Sequence, residues 1–336
     1  MVSRGCLALL LMFAAAGALF SDQQPAAQAP PDDAMPPPAV AAAASRYVDR
    51  ATLVDEAATL AAPQFEGRAT GTPGGDRARL WIADRFKTIG LTPAGSSGYL
   101  QPFTFKRNDA ASVLPGRRAT GVEQTGINVL GRVAGRDPAL RAIVITAHYD
   151  HLGVRNGVVY PGADDNASGI AALLAAGRHF RKTPPRRTLV FAALDAEELG
   201  LQGARSLVGS PLLPRDRIAL NINLDMVSRS SRHEIYAAGT VYTPWQRRIL
   251  ADVQRRASVA IRLGHDTPGG APQDWTELSD HAAFHRAGLP FVYFGVEEHA
   301  DYHGPGDVPE RIDARFFGDV ADMVVEAIRV YDERLP

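Results

Sequence analysis

The stretch that decides the fold reads AIVITAHYDHLG and covers residues 142–153. It opens with apolar or β-branched residues in succession, and similar runs follow in TLVFAAL at 188–194 and IALNINL at 218–224. Strands with apolar side chains on successive residues are typical of a sheet that helices cover on both faces. Each of these runs is followed by acidic or histidine residues.

Strand and helix patterns alternate on either side of this stretch. Candidate strands lie at 128–133, 142–147, 188–194, 218–224, 234–237 and 290–294. Helical patterns lie at 168–181, 201–208, 244–257, 280–286 and 314–331. The alternation predicts a single α/β domain with a central, mostly parallel or mixed β-sheet flanked by helices. Ligands of such open sheets bind beyond the carboxyl ends of the strands, so the polar residues there are the site candidates.

The composition narrows the function classes. The chain has 336 residues, 46% hydrophobic and 22% charged, which is ordinary globular usage and excludes a fibrous or wholly disordered chain. Its 36 basic and 37 acidic residues give a net charge of -1. Without a basic excess, the sequence predicts neither nucleic acid nor an anionic membrane surface as a partner.

The first part of the chain is predicted to lie outside the folded domain. Residues 1–21 contain an apolar run from Cys6 to Phe20, which is shorter than the ~20 residues of a membrane span and typical of a signal peptide. An uncleaved N-terminal anchor is the alternative. Residues 22–45 are rich in alanine and proline and predict a disordered linker, which leaves 46–336 as the folded domain. We therefore expect a secreted or periplasmic protein, with no stable membrane partner unless the segment is uncleaved.

Five separate segments bring histidine and carboxylate residues to the predicted strand ends or nearby loops. They are His148-Tyr149-Asp150, Asp164-Asp165-Asn166, Asp195-Ala196-Glu197-Glu198, Asp225 and Tyr302-His303. Taken singly, each has an ordinary structural explanation, such as a helix N-cap or an acidic first helical turn. Their occurrence together favours a metal site, because a mixture of imidazole and carboxylate suits zinc or a neighbouring divalent ion.

The combination resembles the family of co-catalytic zinc aminopeptidases typified by secreted bacterial leucyl aminopeptidases. Relatives of that family include glutamate carboxypeptidases and glutaminyl cyclases. The resemblance runs from about Asn128 to His303 and rests on six blocks in order: AHYDHLG, YPGADDNASGIAALL, LDAEELGLQGARSL, NINLDMV, SDHAAFHRAGLP and YHGPGD.

The resemblance implies a zinc-exopeptidase, phosphorylase/hydrolase-like fold and a set of metal ligands. Four residues would each bind one of two zinc ions, and Asp165 would bridge the ions; the four are His148, Glu198, Asp225 and His303. The family often has a cis peptide bond at the bridging residue, which we expect between Asp164 and Asp165.

The resemblance also assigns roles around the metals. Glu197 would be the general base, and Asp150 would hold the His148 ring in the orientation that the metal needs. Tyr302 would donate a hydrogen bond to an oxyanion, although simple packing is an alternative. His151 is interpreted as a loop residue without a role, and His281 as part of the site wall in contact with Asp280.

The function predicted from these residues is an aminopeptidase that hydrolyses N-terminal residues from peptides. Three alternatives stay open at this point. An arginine in the specificity pocket would favour a carboxypeptidase for acidic residues, and a single zinc ion would favour a glutaminyl cyclase. The third alternative is a non-catalytic ectodomain, which the complete set of ligand residues disfavours.

Overall fold

The computed structural model describes Met35 and residues 45–107, 121–267 and 273–335. The predicted signal peptide and nearly all of the predicted linker lie outside the described residues, so the proposed domain boundaries stay predictions. Within these residues, the chain forms a mixed nine-stranded sheet flanked by helices, as the alternation of patterns predicted.

Adjacent parallel strands form the centre of the sheet. The strands are β1 Thr92–Pro93, β2 Leu100–Arg107, β3 Val122–Val133, β4 Ala142–His148, β5 Gly153–Arg155, β6 Val158–Tyr160, β7 Leu189–Leu194, β8 Ile218–Leu224, β9 Glu234–Ala238, β10 Ala260–Leu263 and β11 Phe291–Gly295. Their order is β1-β3-β7-β4-β8-β11-β9-β10, with β2 paired to β3, while β5 and β6 form a separate hairpin. Strands β7, β4, β8 and β11 are parallel neighbours, so their carboxyl ends meet at one edge.

Helices cover both faces of this sheet. They are α1 Arg50–Leu60, α2 Pro73–Ile89, α3 Gly169–Lys182, α4 Gln202–Val208, α5 Gln246–Gln254, α6 His281–Arg286 and α7 Ala314–Arg334. Helices α1, α2, α3, α5 and α7 contribute to one hydrophobic cluster, and α4 and α6 to a second. Alternate residues of β4 join the two clusters, Ile143 and Ile145 the first and Val144 the second, which explains the continuous apolar run.

The structure adds elements that the sequence patterns did not predict. These are β1, β2, β5, β6, β10, α1, α2 and the first half of β3. Among the described residues, no helix is both long and apolar enough to cross a membrane.

Candidate metal centre

The carboxyl ends of the parallel strands bring most of the predicted ligands together. His148 is the last residue of β4, Asp225 directly follows β8, and Glu198 lies four residues beyond β7. His303 lies in the loop after β11. Because these strands are neighbours, residues far apart in sequence converge at one edge, as the sequence predicted.

Asp165 comes from an irregular helical turn, Ala163–Ser168, that precedes α3. The Asp307 carboxylate accepts hydrogen bonds from the backbone N–H groups of Asp164 and Asp165, at 3.0–3.1 Å and 3.0 Å. Asn166 donates to Leu224 O at 2.9 Å and so fastens the turn to the end of β8. The cis peptide bond lies between Asp165 and Asn166. Our expectation of a cis bond between Asp164 and Asp165 was therefore wrong by one position.

One cluster of possible metal donors contains His148, Asp165 and Asp225. His148 Nε2 lies 3.2 Å from Asp225 Oδ1 and 3.4 Å from Asp165 Oδ1. All three side chains are buried. An imidazole nitrogen and two carboxylate oxygens therefore face one point.

A second cluster forms around the other oxygen of Asp165. His303 Nε2 lies 3.1 Å from Asp165 Oδ2 and 3.5 Å from Glu198 Oε2. His151 also belongs to this cluster, with Nδ1 2.9 Å from Glu198 Oε1. Oδ1 of Asp165 faces the first cluster and Oδ2 the second, so the two clusters share this carboxylate.

The residues present fit zinc. Each cluster combines imidazole nitrogens, which can bind a metal when neutral, with carboxylate oxygens. These are donor types that zinc takes in proteins. Zinc bonds of ~2.0–2.1 Å in tetrahedral geometry place neighbouring donors about 3.3 Å apart. The separations of 3.1–3.5 Å between His148 or His303 and their carboxylate partners match this value.

The clustered carboxylates and imidazoles shift the pKa values of one another. Burial raises the pKa of Asp165, but His151, His148 and His303 more than offset it and hold the pKa well below its usual range. Hydrogen bonds to Asp165 and Glu198 raise the pKa of His303 to about 10. Because a ligating imidazole is neutral, zinc binding at these groups would compete with protonation of His303.

Asp150 supports the site in a different way from the one predicted. His148 Nδ1 lies 3.1 Å from the backbone carbonyl oxygen of Asp150 and 3.8 Å from its carboxylate. The carboxylate instead accepts hydrogen bonds from the backbone N–H groups of Glu197 and Glu198, at 3.0 and 3.2 Å. The hydrogen bond of His148 Nδ1 is thus made with the backbone carbonyl of Asp150, while the carboxylate lies within ion-pair distance of the ring.

Glu197 lines a cavity of about 400 Å³ that opens beside the clusters. Burial raises the pKa of Glu197 well above its usual range, with smaller contributions from neighbouring carboxylates. Tyr302 also lines the cavity, and its ring stacks on His303 with centroids 4.0 Å apart. The structure thus places both residues at the cavity, while their chemical roles stay predictions.

The rest of the cavity is partly apolar and partly charged. Its apolar lining consists of Leu201, Met226, Trp275, Leu278, Tyr293 and Val296. Two arginines also line it, Arg205 and Arg286, and Arg286 forms an ion pair with Glu277. Arg205 has no ion-pair partner within the described ranges.

Sequence reasoning missed several residues of this site. His151 lies in a loop as expected, but its side chain is fully buried against Glu198. Ser279 Oγ donates to Asp225 Oδ2 at 2.7 Å and was not singled out. His281 Nε2 lies 2.9 Å from Trp275 O, and neither the Asp280 carboxylate nor His281 Nδ1 has a hydrogen-bond partner in the described part of the chain, so no hydrogen bond joins these two side chains. The sequence could have indicated Ser279, because this residue begins the SDH block. No sequence pattern indicated that the loop of His151 would place its side chain beside Glu198.

A buried arginine fastens the loops behind the clusters. Arg68 is fully buried and donates four hydrogen bonds to backbone carbonyl oxygens, those of Leu60, Tyr149, Pro161 and Gly162, at 2.7–2.8 Å. Burial lowers the pKa of Arg68 to about 10, and Asp165 and Asp307 oppose that decrease. Its positive charge lies close to the carboxylates that would hold the metals.

Comparison with known proteins agrees with this geometry. The profile described as Peptidase family M28 matches residues 128–328. The aminopeptidase YwaD of Bacillus subtilis is 28% identical over 286 residues, which are 79% of this chain and 59% of that protein. The chain therefore spans about three fifths of the length of this relative.

Solved structures show the same fold. The zinc aminopeptidase BSAP of Bacillus subtilis aligns with a TM-score of 0.66 at 18% identity, over 85% of this chain and 95% of its own. A glutaminyl cyclase of Bacteroides thetaiotaomicron, bound to N-acetylhistamine, aligns with a TM-score of 0.64 at 16% identity, over 85% and 99%. Because both identities are low, these likenesses show the α/β fold alone.

Proposed function

Since the chain belongs to peptidase family M28, we propose that it is a two-zinc aminopeptidase that removes N-terminal residues from peptides. The observation that carries the proposal is the pair of donor clusters that share Asp165, one through each carboxylate oxygen. His148 and Asp225 would complete one position, and Glu198 and His303 the other. Two zinc ions, when bound, supply the Lewis acidity that activates a water molecule and polarises the scissile carbonyl.

Three residues beside the metal positions would have separate roles in the reaction. Glu197 takes the proton of the attacking water and delivers it to the leaving amine, so its raised pKa suits the task. Asp150 fixes the peptide N–H groups of Glu197 and Glu198 and thereby positions the base. The Tyr302 hydroxyl donates a hydrogen bond to the carbonyl oxygen as it becomes negative.

The cavity lining offers partners for a free α-amino group. Of the two arginines that line it, Arg286 is paired with Glu277, whereas Arg205 has no ion-pair partner among the described residues, so Arg205 is the residue on which the carboxypeptidase alternative rests. The cavity also presents the carboxylates of Glu197 and Glu298, which can receive a free α-amino group. The predicted signal peptide would place this activity in a secreted or periplasmic compartment.

The first test is the zinc content of the purified chain, together with hydrolysis of a leucine anilide before and after chelation. Two zinc ions per chain with chelator-sensitive hydrolysis are expected. One zinc ion without hydrolysis would favour a glutaminyl cyclase, and no zinc would favour a non-catalytic domain.

A pair of variants tests the assigned roles. Glu197→Gln is expected to keep both zinc ions and to lose at least ~100-fold in kcat, because only the proton acceptor is removed. Asp165→Ala is expected to lose zinc as well, since the bridge belongs to both positions. Zinc content and kcat are measured on the same preparations; equal zinc loss in the two variants would contradict the assignment.

A further inference from the structure

His151 contributes a buried imidazole to the cluster that contains Glu198. Its Nδ1 lies 2.9 Å from Glu198 Oε1 and 3.7 Å from Asp165 Oδ2, and the side chain has no exposed surface. Its other ring nitrogen, Nε2, is buried without a hydrogen-bond partner in the described ranges. Within those ranges, the polar contacts of the ring are therefore made through Nδ1, toward the donor cluster.

Packing fixes the ring in this position. A β-carbon added at Gly162 would lie 2.5 Å from His151 Cδ2, so the ring occupies the space that this glycine leaves free. Arg68 donates to the carbonyl oxygens of Gly162 and Tyr149, both at 2.8 Å. The two loops on either side of the His151 ring are thus held by one guanidinium group.

His151, Asp165 and Glu198 form one group of close donors, and His303 Nε2 lies beside two of its members, Asp165 and Glu198. His151 Nδ1 and His303 Nε2 lie 2.9–3.7 Å from the carboxylate oxygens of Asp165 and Glu198. Tetrahedral zinc separates its donors by about 3.3 Å, which is the middle of that range. We propose that His151 Nδ1 is a fourth protein donor to this metal position, beside Asp165, Glu198 and His303. This inference rests on the proposed two-zinc function.

A fourth donor makes the two positions unequal. The position at His148, Asp165 and Asp225 has three protein donors within the described ranges and leaves one place for water or substrate. Four protein donors complete the shell of a structural zinc site, whereas catalytic zinc keeps an open place. The ion beside His151 is therefore the tightly held one, and the ion beside His148 is the exchangeable one.

The experiment measures zinc affinity on the full chain, stripped of metal and titrated in competition with a chromophoric chelator. His151→Asn removes the imidazole but keeps an amide N–H near the place of Nδ1, so a mere hydrogen bond to Glu198 would survive. The matched control is His299→Asn, since His299 Nε2 lies 3.2 Å from Asp164 Oδ2, next to the clusters but in neither.

We expect His151→Asn to weaken the tighter zinc step by at least ~100-fold, and His299→Asn to weaken it by less than ~10-fold, the lower limit for residues behind the ligands. A His151→Asn protein whose tighter step stays within ~10-fold of the unsubstituted protein would overturn the inference. If the unsubstituted protein still binds two zinc ions, the proposed function survives that result; if it binds none, both fail.

A second measurement does not depend on the folding of a variant. One equivalent of Co²⁺ is added to the stripped, unsubstituted protein, and its visible spectrum is recorded. The intense absorption of four-coordinate cobalt is expected. A weak, six-coordinate spectrum would overturn the inference.

Discussion

Ser279 is the last link of a buried chain of hydrogen bonds that ends on a proposed zinc ligand. Asn221 donates to Thr146, Thr146 to Asn223, Asn223 to Ser279, and Ser279 to Asp225, at 2.6–3.0 Å. Every donor in this chain is buried. Because each group both donates and accepts in the same direction, the chain fixes which oxygen of Asp225 remains free for a metal.

Ser279→Ala is expected to weaken zinc binding at the His148 position by ~10–100-fold, the usual cost of losing a partner behind a ligand. The Asp225 carboxylate would lose its only side-chain hydrogen bond to a hydroxyl group in the described ranges. Competition titration with a chelator measures the weaker zinc step. Ser206→Ala on α4 is the control, because no hydrogen bond connects Ser206 to the clusters within the part of the chain that the structure describes; equal affinities in the two variants would contradict the prediction.

His281 is a buried neutral imidazole at the start of α6. Burial, with a smaller contribution from His285, lowers its pKa to about 3, against the opposing effects of the hydrogen bond to Trp275 O and the charge of Asp274. In the unfolded chain a histidine titrates near ~6.5. Between these two pH values the unfolded chain takes up a proton that the folded protein does not, so stability falls as the pH falls.

His281→Gln keeps an amide donor for Trp275 O and removes the titrating ring. The free energy of unfolding of the unsubstituted protein should therefore fall by about 2 kcal/mol more than that of the variant between pH 7 and pH 5. Urea unfolding of both proteins, stripped of metal, measures this difference. Parallel curves over the same range would show that His281 is protonated in the folded protein.

Among the elements, the turn Ala163–Ser168 depends on a glycine at its beginning. Gly162 has a φ of +59°, and a β-carbon there would lie 2.1 Å from Asp165 O as well as 2.5 Å from the His151 ring. Gly157, in the β5–β6 turn, has a φ of +77° with nothing within 4 Å of the same position. Both glycines have a backbone conformation that is unfavourable for other residues. Of the two, only Gly162 has neighbouring atoms that would have to move to admit a β-carbon.

Gly157→Ala is expected to cost about 1–2 kcal/mol of stability through its backbone alone and to keep the zinc content. Gly162→Ala should cost more and lower zinc affinity, because the turn that carries Asp165 must shift. Urea unfolding and zinc titration on both variants separate the two effects. Unchanged zinc affinity in Gly162→Ala would mean that the turn moves without disturbing the donors.

The sequence predicted the strands whose residues are all buried, because burial on both faces gives a continuous run of apolar residues. Strands β4, β7 and β8 are buried at every residue and read as continuous apolar runs. The first half of β3 is largely exposed, so no such run marks it. Helix α1 buries Leu53, Glu56, Ala57 and Leu60, a helical spacing that the charged Glu56 conceals.

The site followed from the sequence as far as strand ends determine it. His148 and Asp225 are fixed by the ends of β4 and β8, and their meeting follows from the parallel order of the strands. The position of His151 depends instead on how Arg68 and Gly162 shape a loop, which no periodic pattern encodes. For the same reason the carbonyl of Asp150, and not its carboxylate, meets the His148 ring.

For the whole molecule, charge is balanced in total but not at the metal centre. The chain carries 36 basic and 37 acidic residues. At the site, however, buried carboxylates converge from separate elements, and burial raises the pKa of Asp225, Glu197 and Asp280, the last to about 7. Burial of like charges lowers the stability of the folded protein when no metal is bound. Bound cations would neutralise these charges and restore that stability.

Removal of zinc is therefore expected to lower the melting temperature of the whole domain. At free zinc 100-fold above the dissociation constant, the linkage amounts to about 2.7 kcal/mol, or about 4 to 5 °C for a domain of this size. Scanning calorimetry of the stripped protein, with zinc and with magnesium restored, measures the shift. Magnesium should restore little, because it prefers oxygen donors over imidazole.

Glu197→Gln should keep the zinc-dependent shift in melting temperature and Asp165→Ala should lose it, because of these two residues only Asp165 is a proposed ligand. An identical melting temperature with and without zinc would mean that zinc does not bind the folded domain in preference to the unfolded chain, which would contradict the proposed metal positions.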